Sequence, residues 1–237
     1  MFFDVATGLA TGGVLGYVLQ KGGFCMHTAF RSIVFEKDHS TLRAWLLALA
    51  IDMIIVNLLF EFRVINIQVA PFFWLAASVG GLVFGIGMVL AGGCTSGTWY
   101  RAGKGMLGSA GALVGYAIGA TSVSGGLLRP VMDALRRPVI DFFGEDLSIT
   151  HALPFGPVLS RWAVIAIAVA AIIYYLSRAP EQKFATGWKW PATGTAIGLV
   201  GVAAWLASTV SARDYGMSFT QPTVSIVRVI LSSETGG

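Results

Sequence analysis

Residues 12–31 read GGVLGYVLQKGGFCMHTAFR, and residues 81–101 read GLVFGIGMVLAGGCTSGTWYR. Each stretch holds one of the chain's two cysteines inside a shared glycine frame. The frame is Gly12, Gly16, Gly23 and Cys25 in the first stretch and Gly81, Gly85, Gly92 and Cys94 in the second. Both stretches end on an aromatic–arginine pair, with one extra residue in the second. A repeat that carries its cysteine along indicates one site built twice, and duplicated segments commonly build a substrate path in a membrane.

The composition is that of an integral membrane protein. The chain has 237 residues, of which 55% are hydrophobic and only 12% are charged, and its mean hydropathy is +0.74. A soluble domain carries roughly a quarter charged residues. The net charge of +4 is modest, and no basic stripe interleaves with the aromatic residues, so the sequence argues against a nucleic-acid partner. From this composition we expect the protein to be in contact with membrane lipid.

Apolar runs along the chain predict an all-α, polytopic membrane fold with about six spanning helices. The runs cover residues 2–19, 42–62, 72–91, 106–128, 162–176 and 188–210. Most of them approach the ~20 residues that a spanning helix needs. Short re-entrant or broken helices are expected after the two glycine-rich cysteine motifs, and the shared frame predicts a pseudo-symmetric internal repeat.

We expect a single transmembrane domain over residues 1–237, with repeat-like units at about 1–62 and 71–128. Charged residues and prolines between about 129 and 160 predict an extramembrane connection with a short amphipathic helix, followed by further helices over 161–210. The stretch from Tyr215 to Pro222 resembles a connection in the middle of a protein. The chain is therefore expected to be truncated at its C-terminus, to pair with a second half, or to be a complete variant with a reduced path.

The glycines around each cysteine bear on the chemistry of the motif. They let the backbone leave helical geometry and approach a ligand, and in a membrane such backbone survives only where it lines a cavity or is buried in protein. A helix that starts after the cysteine would point its free N–H groups into that cavity, which favours an anion. The simpler interpretation is that the cysteines are small buried hydrophobic residues and that Gly12–Gly16 and Gly81–Gly85 serve helix packing.

A thiol narrows the choice of ligand to soft metals and sulfur species, since its S–H group is a weak donor and its sulfur is soft. A metal site needs more ligands than one thiol, and His27 near Cys25 belongs to no Cys-x-x-Cys or Cys-x-x-His cluster. We therefore predict no metal site and no cofactor.

The two motifs resemble the YeeE/YedE family over Lys21 to Arg31 and over Gly92 to Gly105. These are bacterial inner-membrane proteins of sulfur metabolism that include thiosulfate uptake transporters. The resemblance implies a pseudo-symmetric helical fold in which cysteines pass thiosulfate inward through S–H hydrogen bonds at a central constriction. Cys25 and Cys94 would be two such relay positions. Longer members have two related halves and a further functional cysteine, which this sequence lacks.

The predicted function is transport of a small sulfur-containing anion, most of all thiosulfate, by a multi-pass protein of the bacterial inner membrane. The predicted substrate-binding residues are Cys25, Cys94, Gly23, Phe24, Gly93, Thr95, Ser96, Arg31 and Arg101. The two arginines either steer the anion towards a vestibule or act as topology charges at helix ends. No catalytic residue and no enzymatic activity are predicted.

Two other classes of function stay open. In the first, a cysteine takes up sulfane sulfur as a persulfide and hands it to a cytosolic sulfurtransferase, which requires a solvent-accessible thiol of lowered pKa. In the second, the chain is an assembly subunit without a path of its own. A second half, a second subunit or a homo-oligomer is accordingly among the expected partners.

Asp52 and Asn57 are polar residues inside the second apolar run. An ionised carboxylate in the middle of a spanning helix is costly and is often functional. The two residues serve either as a coupling-ion or proton site or as caps for a neighbouring broken helix. We favour the structural role for Asp52, because a permanent anion opposes an anionic substrate.

Overall fold

The computed structural model describes residues 2–65, 73–137, 157–178, 187–210 and 216–234. Regular secondary structure in these ranges is helical throughout, without a strand. The α-helices are α1 (Phe2–Gly22), α2 (Met26–Arg31), α3 (Ser40–Glu61), α4 (Trp74–Leu90), α5 (Thr95–Gly103), α6 (Leu107–Gly125), α7 (Arg129–Arg136), α8 (Pro157–Arg178), α9 (Trp190–Val210) and α10 (Thr220–Glu234). A π-helical turn, Ser32–Glu36, follows α2 directly.

The all-α, multi-pass membrane class is confirmed. Five helical stretches within the described residues are long and apolar enough to cross a membrane. They are Ser40–Glu61, Trp74–Gly103, Leu107–Gly125, Val158–Arg178 and Trp190–Thr209. The first apolar run also forms a helix, α1, but α1 is not among these five, so the number of about six spans stays a prediction. Large apolar side chains such as Leu107 are 87% exposed, which suits a hydrocarbon solvent and not water.

The chain divides into two compact units, and each contains one cysteine motif. Unit 1 comprises Met1–Val69 and Glu145–Met217, and unit 2 comprises Ala70–Gly144 and Ser218–Gly237. Unit 1 therefore holds α1 to α3, α8 and α9, while unit 2 holds α4 to α7 and α10. The repeat-like units at 1–62 and 71–128 stay predictions. The proposed extramembrane connection includes α7, and its residues 138–156 lie outside the described part of the chain.

Close packing of α9 against α3 depends on glycines in unit 1. A Cβ built on Gly194 would lie 2.6 Å from the carbonyl oxygen of Ala44, and one on Gly198 would lie 3.0 Å from Cβ of Ile51. Small residues at this spacing let two helices approach until their backbones nearly touch, which is how membrane helices gain van der Waals contact. The α9 glycines therefore set the distance between α9 and α3.

The glycine pairs that the sequence singled out behave differently. A Cβ at Gly12, Gly16, Gly81 or Gly85 would meet no described heavy atom of its own unit within 4 Å. Among the described residues of each unit, no close neighbour supports the helix-packing role expected for these four positions, and that role stays a prediction.

Arg43 links three helices of unit 1. Its side chain is only 7% exposed, its guanidinium lies 4.3 Å from the ring centroid of Trp190 on α9, and it donates a hydrogen bond to the carbonyl oxygen of Leu176 on α8. A cation near the last carbonyl groups of a helix is favourable because these groups carry partial negative charge. Arg43 thus ties the start of α3 to the neighbouring helices.

In unit 2, α6 packs between α5 and α10. The hydroxyl groups of Tyr116 on α6 and Thr220 at the start of α10 lie 2.6 Å apart and form a hydrogen bond. Arg228 of α10 donates to the carbonyl oxygen of Ser124, at 3.4 Å. Both polar contacts connect α6 with α10.

Gly194→Ala should lower the melting temperature of the detergent-solubilised protein, because the added methyl group overlaps the Ala44 carbonyl and overpacking costs about 1–3 kcal/mol. Gly119→Ala is the matched control, since a Cβ at Gly119 meets no atom within 4 Å in unit 2 and alanine favours a helix. Equal melting temperatures for the two variants would contradict the packing role of Gly194.

Candidate functional site

The helix before each cysteine ends in the same hydrogen-bonded turn. At the end of α1, the N–H of Phe24 donates to the carbonyl of Leu19 at 3.1 Å, and at the end of α4 the N–H of Gly93 donates to the carbonyl of Met88 at 3.0 Å. A second, shorter-range bond accompanies each of these, from Gly23 to Gln20 and from Gly92 to Val89. This pair of bonds defines the Schellman motif, which satisfies carbonyl groups that a helix end would leave without partners.

The turn requires a glycine two residues before each cysteine. Gly23 has φ of 57° and Gly92 has φ of 65°, a left-handed conformation that glycine adopts without steric cost and other residues adopt with difficulty. The glycine spacing seen in the sequence therefore has a backbone cause at these two positions. The turn also determines the backbone conformation of the cysteine two residues later, because the chain leaves the turn in an extended conformation.

Each cysteine is the residue at which the next helix begins. Cys25 has φ of −151° and ψ of 130°, Cys94 has φ of −74° and ψ of 170°, and both are extended. The carbonyl oxygen of each accepts the first backbone bond of its helix, from Ala29 at 2.9 Å and from Thr98 at 2.8 Å. Short helices thus follow both cysteines, as α2 and α5.

Both thiols are buried and neither forms a disulfide. Cys25 is 0% exposed and Cys94 is 6% exposed. Burial of a thiol is typical of a small hydrophobic side chain as well as of an occluded ligand contact. What separates the two cysteines from ordinary core residues is their position at a helix start after an identical turn.

Hydroxyl groups surround Cys94 in unit 2. The Sγ atom of Cys94 lies 3.2 Å from Oγ of Ser96, and Oγ1 of Thr98 donates to the carbonyl oxygen of Cys94 at 2.9 Å. Thr98 is 5% exposed. The sequence analysis missed Thr98, although its place four residues after the cysteine, one turn along α5, was the signal that could have identified it.

A cavity of about 200 Å³ lies beside this motif within unit 2. Gly93, Thr95 and Thr98 contribute its polar lining on the α4–α5 side. Tyr116 of α6 completes it, another residue that the sequence analysis missed, together with apolar residues such as Phe84. The structure thus brings Gly93 and Thr95, both predicted site residues, to one cavity wall.

The surroundings of Cys25 in unit 1 are more tightly packed. Phe24 is 7% exposed, and a Cβ on Gly22 would overlap the side chain of Thr193 on α9. The N–H of Trp188 donates to the carbonyl oxygen of Lys21 at 3.1 Å, so the segment before α9 covers the end of α1. Gly23 is exposed while Phe24 is buried, and the two predicted contacts therefore differ in their environment.

The two arginines that follow the cysteines are placed differently. Arg31, at the last position of α2, is exposed. Arg101 of α5 is half-buried and donates a hydrogen bond to the carbonyl oxygen of Gly92. Arg101 therefore stabilises the turn before Cys94, a role that neither of the two interpretations from the sequence included.

Among the described residues, no three His, Cys, Asp or Glu side chains come close enough to hold a metal ion. The pattern at each motif is instead one thiol, backbone N–H groups and, at Cys94, hydroxyl groups. These groups are donors, and such a set suits an anion better than a cation.

A sequence model described as sulphur transport matches residues 21–236, which include both cysteine motifs and nearly the whole chain. The chain belongs to the sulphur transport family. The resemblance to YeeE/YedE proteins seen in the motifs is thereby confirmed.

Two proteins named thiosulfate transporters are similar to nearly the whole chain, and a third relative is similar to part of it. The thiosulfate transporter TsuA of Escherichia coli (strain K12) is 30% identical over 252 residues, which is 99% of this chain and 69% of the relative. The thiosulfate transporter TsuA of Spirochaeta thermophila is 28% identical over 96% of this chain and 70% of the relative. The probable transporter YedE of Salmonella typhimurium is 33% identical over 95 residues, or 39% of this chain and 22% of the relative.

Substitution of Gly92 tests the left-handed turn. Gly92→Ala should lower the free energy of unfolding by about 1–2 kcal/mol, because a Cβ is disfavoured at this φ. The change is measured as a lower melting temperature. Gly92→Asn should fall between Gly92→Ala and the unmodified protein, since asparagine tolerates the left-handed region. Gly85→Ala, in the preceding helix α4, is the control and should not lower the melting temperature. If Gly92→Ala were as stable as the unmodified protein, the left-handed turn would not be important for stability.

The arginines make a second matched pair. Arg101→Ala should lower the free energy of unfolding by about 1 kcal/mol, because it removes the hydrogen bond to Gly92. The melting temperature should fall accordingly. Arg31→Ala should leave the melting temperature unchanged, because the side chain is exposed and surface substitutions have small effects. An equal loss in both variants, measured in the same detergent, would show that Arg101 has no special structural role.

Proposed function

We propose that the chain carries thiosulfate across the bacterial inner membrane, and that the thiols of Cys25 and Cys94 contact the anion in succession. Membership of the sulphur transport family and similarity to two proteins named thiosulfate transporters support the substrate. The observation that carries the proposal is the recurrence of one backbone device, a left-handed glycine turn that leads to a buried thiol at a helix start.

The start of α5 supports an anion as the ligand. The free N–H groups of the first helical turn and the helix dipole favour negative charge there, and this turn contains no acidic residue. Thr95 and Thr98 line the adjacent cavity of about 200 Å³, a volume several times that of one water molecule. A small anion entering it would exchange water for the hydroxyl groups of Thr95 and Thr98, whereas Cys94 is not among the described residues that line this cavity.

Thiols support transport in preference to tight binding. An S–H group is a weak donor, and conduction needs each contact to be favourable enough to admit the anion but weak enough to release it. A thiol also offers a polarizable sulfur to the terminal sulfur of thiosulfate. The proposed role of each cysteine is therefore a transient, non-covalent contact, and no enzymatic step is part of the proposal.

The sulfur-carrier alternative is less well supported. A persulfide-forming cysteine needs a reactive thiolate with access to solvent, whereas the two thiols are 0% and 6% exposed. A cytosolic sulfurtransferase, a second subunit and a homo-oligomer stay predictions from the sequence.

Uptake of radiolabelled thiosulfate by cells that lack their own thiosulfate importers tests the proposal. Cys25→Ala and Cys94→Ala should each reduce uptake about tenfold or more, because a lost hydrogen bond to a charged ligand is worth about 1.5–3 kcal/mol. Ser177→Ala, at an exposed position on α8, is the control and should transport normally at matched membrane levels.

Uptake that survives both cysteine substitutions would return the cysteines to a packing role. An intact chain that takes up no thiosulfate would contradict transport by this chain alone. Mass spectrometry of both cysteines after exposure to thiosulfate distinguishes transport from the sulfur-carrier role, because a persulfide on either thiol would favour the sulfur carrier.

A further inference from the structure

Asp52 is a carboxylic acid in the interior of a membrane-spanning helix. It follows Ser40, the first residue of α3, by twelve positions and precedes Glu61, the last residue, by nine. At 1.5 Å per residue, it lies about 18 Å from one end of the helix and about 14 Å from the other. Ionisable groups at such depth are rare and usually serve a substrate or proton path.

The backbone of α9 meets this carboxyl group directly. A Cβ built on Gly201 would lie 2.7 Å from Oδ1 and 2.9 Å from Oδ2 of Asp52. Oδ1 is buried and has no hydrogen-bond partner within the described part of the chain. The capping role that the sequence analysis favoured would need hydrogen bonds to backbone groups, and the described residues provide none for Oδ1. The structural role of Asp52 therefore stays a prediction, and the proton-site alternative gains support from the unpartnered Oδ1.

A cavity of about 440 Å³ within unit 1 reaches the same carboxyl group. Asn57, five residues further along α3, Trp205 of α9 and Gly216 line it. Nδ2 of Asn57 donates to the carbonyl oxygen of Met53 at 2.8 Å, so its amide oxygen and its second N–H stay available to a ligand. The side chains that line it thus include one carboxyl group, one amide group and one indole ring.

Cations do not neutralise Asp52 in the described part of unit 1. No charged residue occurs in α9, and Gly216 and Met217 carry none. On α8, Arg161 pairs with Glu61 of α3, and Arg178 lies over the ring of Tyr174. Arg43 lies beside Trp190. On α2, which also packs against α3, His27 is half-buried and Arg31 is exposed. Among the described residues, no cation forms an ion pair with Asp52.

We propose that Asp52 binds and releases a proton during thiosulfate transport. The inference rests on the proposed function and names the proton as the ion that drives transport. A metal cation prefers several oxygen ligands, whereas the described wall offers a carboxyl group and one amide oxygen, a set that suits a proton. The protonated form is neutral, which removes the conflict between a fixed anion and an anionic substrate.

A co-transported proton would lower the electrical cost of moving the anion inward. Moving an anion inward against an inside-negative potential is unfavourable in proportion to its charge. Each proton that Asp52 takes up from the outer water and releases to the inner water offsets one negative charge of the substrate. No bond other than the carboxyl O–H forms or breaks in this step.

Reconstitution of the purified chain into liposomes separates this inference from the proposed function. Exchange of labelled for unlabelled thiosulfate, with equal solutions on both sides, reports the transport path alone. Accumulation driven by an acidic outer solution reports coupling. The unmodified chain should do both, and a protonophore should abolish only the accumulation.

Asp52→Asn, a neutral mimic of the protonated acid, should keep exchange but lose gradient-driven accumulation. Asp133→Asn is the matched control, because Asp133 is an exposed aspartate on α7 that lies 3.7 Å from Arg129, and it should behave like the unmodified chain. Accumulation by Asp52→Asn at the normal level, or accumulation that a protonophore does not affect, would overturn the inference. Loss of exchange in the unmodified chain would instead overturn the proposed function.

A chemical test on the unmodified chain does not depend on transport or on a variant that folds. Dicyclohexylcarbodiimide modifies protonated carboxyl groups in apolar surroundings, and mass spectrometry locates the product. Asp52 should be modified in acidic buffer and progressively less as the pH rises, while Asp133 in the same sample should react little at any pH. Absence of modification at Asp52 across the pH range would overturn the inference.

Discussion

The last carbonyl groups of a helix have no partner within the helix, and the turns at the two left-handed glycines provide hydrogen bonds to such groups in α1 and α4. An unsatisfied buried backbone group is costly, so the site depends on the turn at Gly23 and the turn at Gly92. Because each turn uses a fixed number of residues, the cysteine two positions later always begins the following short helix. The position of both thiols is therefore a consequence of backbone hydrogen bonding.

The two units stabilise this shared turn with different contacts. In unit 1, the end of α1 is covered by Trp188 and by Thr193 at the start of α9. In unit 2, Arg101 donates to the Gly92 carbonyl from within the motif itself, and a cavity opens beside α5. The same local sequence rule is thus compatible with a tightly packed thiol at Cys25 and with a hydroxyl-lined one at Cys94.

Local features of the sequence predicted much of this structure. The apolar run at 42–62 corresponds to α3 over Ser40–Glu61, and the break after each glycine turn was visible in the repeated frame. Gly23 and Gly92 could be identified because a left-handed residue is needed at a fixed offset from a helix end. The ligand chemistry of the thiols stays a prediction from residue type.

Contacts between distant segments could not be predicted in this way. The sequence pointed to Gly12–Gly16 and Gly81–Gly85 for packing, yet the close approach within unit 1 occurs at Gly194, Gly198 and Gly201, because helix α3 happens to lie against that face of α9. The surroundings of Asp52 depend on the same approach. Spacing along one helix indicates a face that can pack closely, but only the partner helix decides whether it does.

Protection of the cysteines by substrate is the most direct test of the central claim that both thiols contact the transported anion. The rate at which N-ethylmaleimide alkylates Cys25 and Cys94 in the purified chain can be followed by mass spectrometry, with and without thiosulfate. The account predicts that thiosulfate slows alkylation of both cysteines and that sulfate, an anion of equal charge without the terminal sulfur, slows it much less. Alkylation rates that thiosulfate leaves unchanged at both positions would contradict the account.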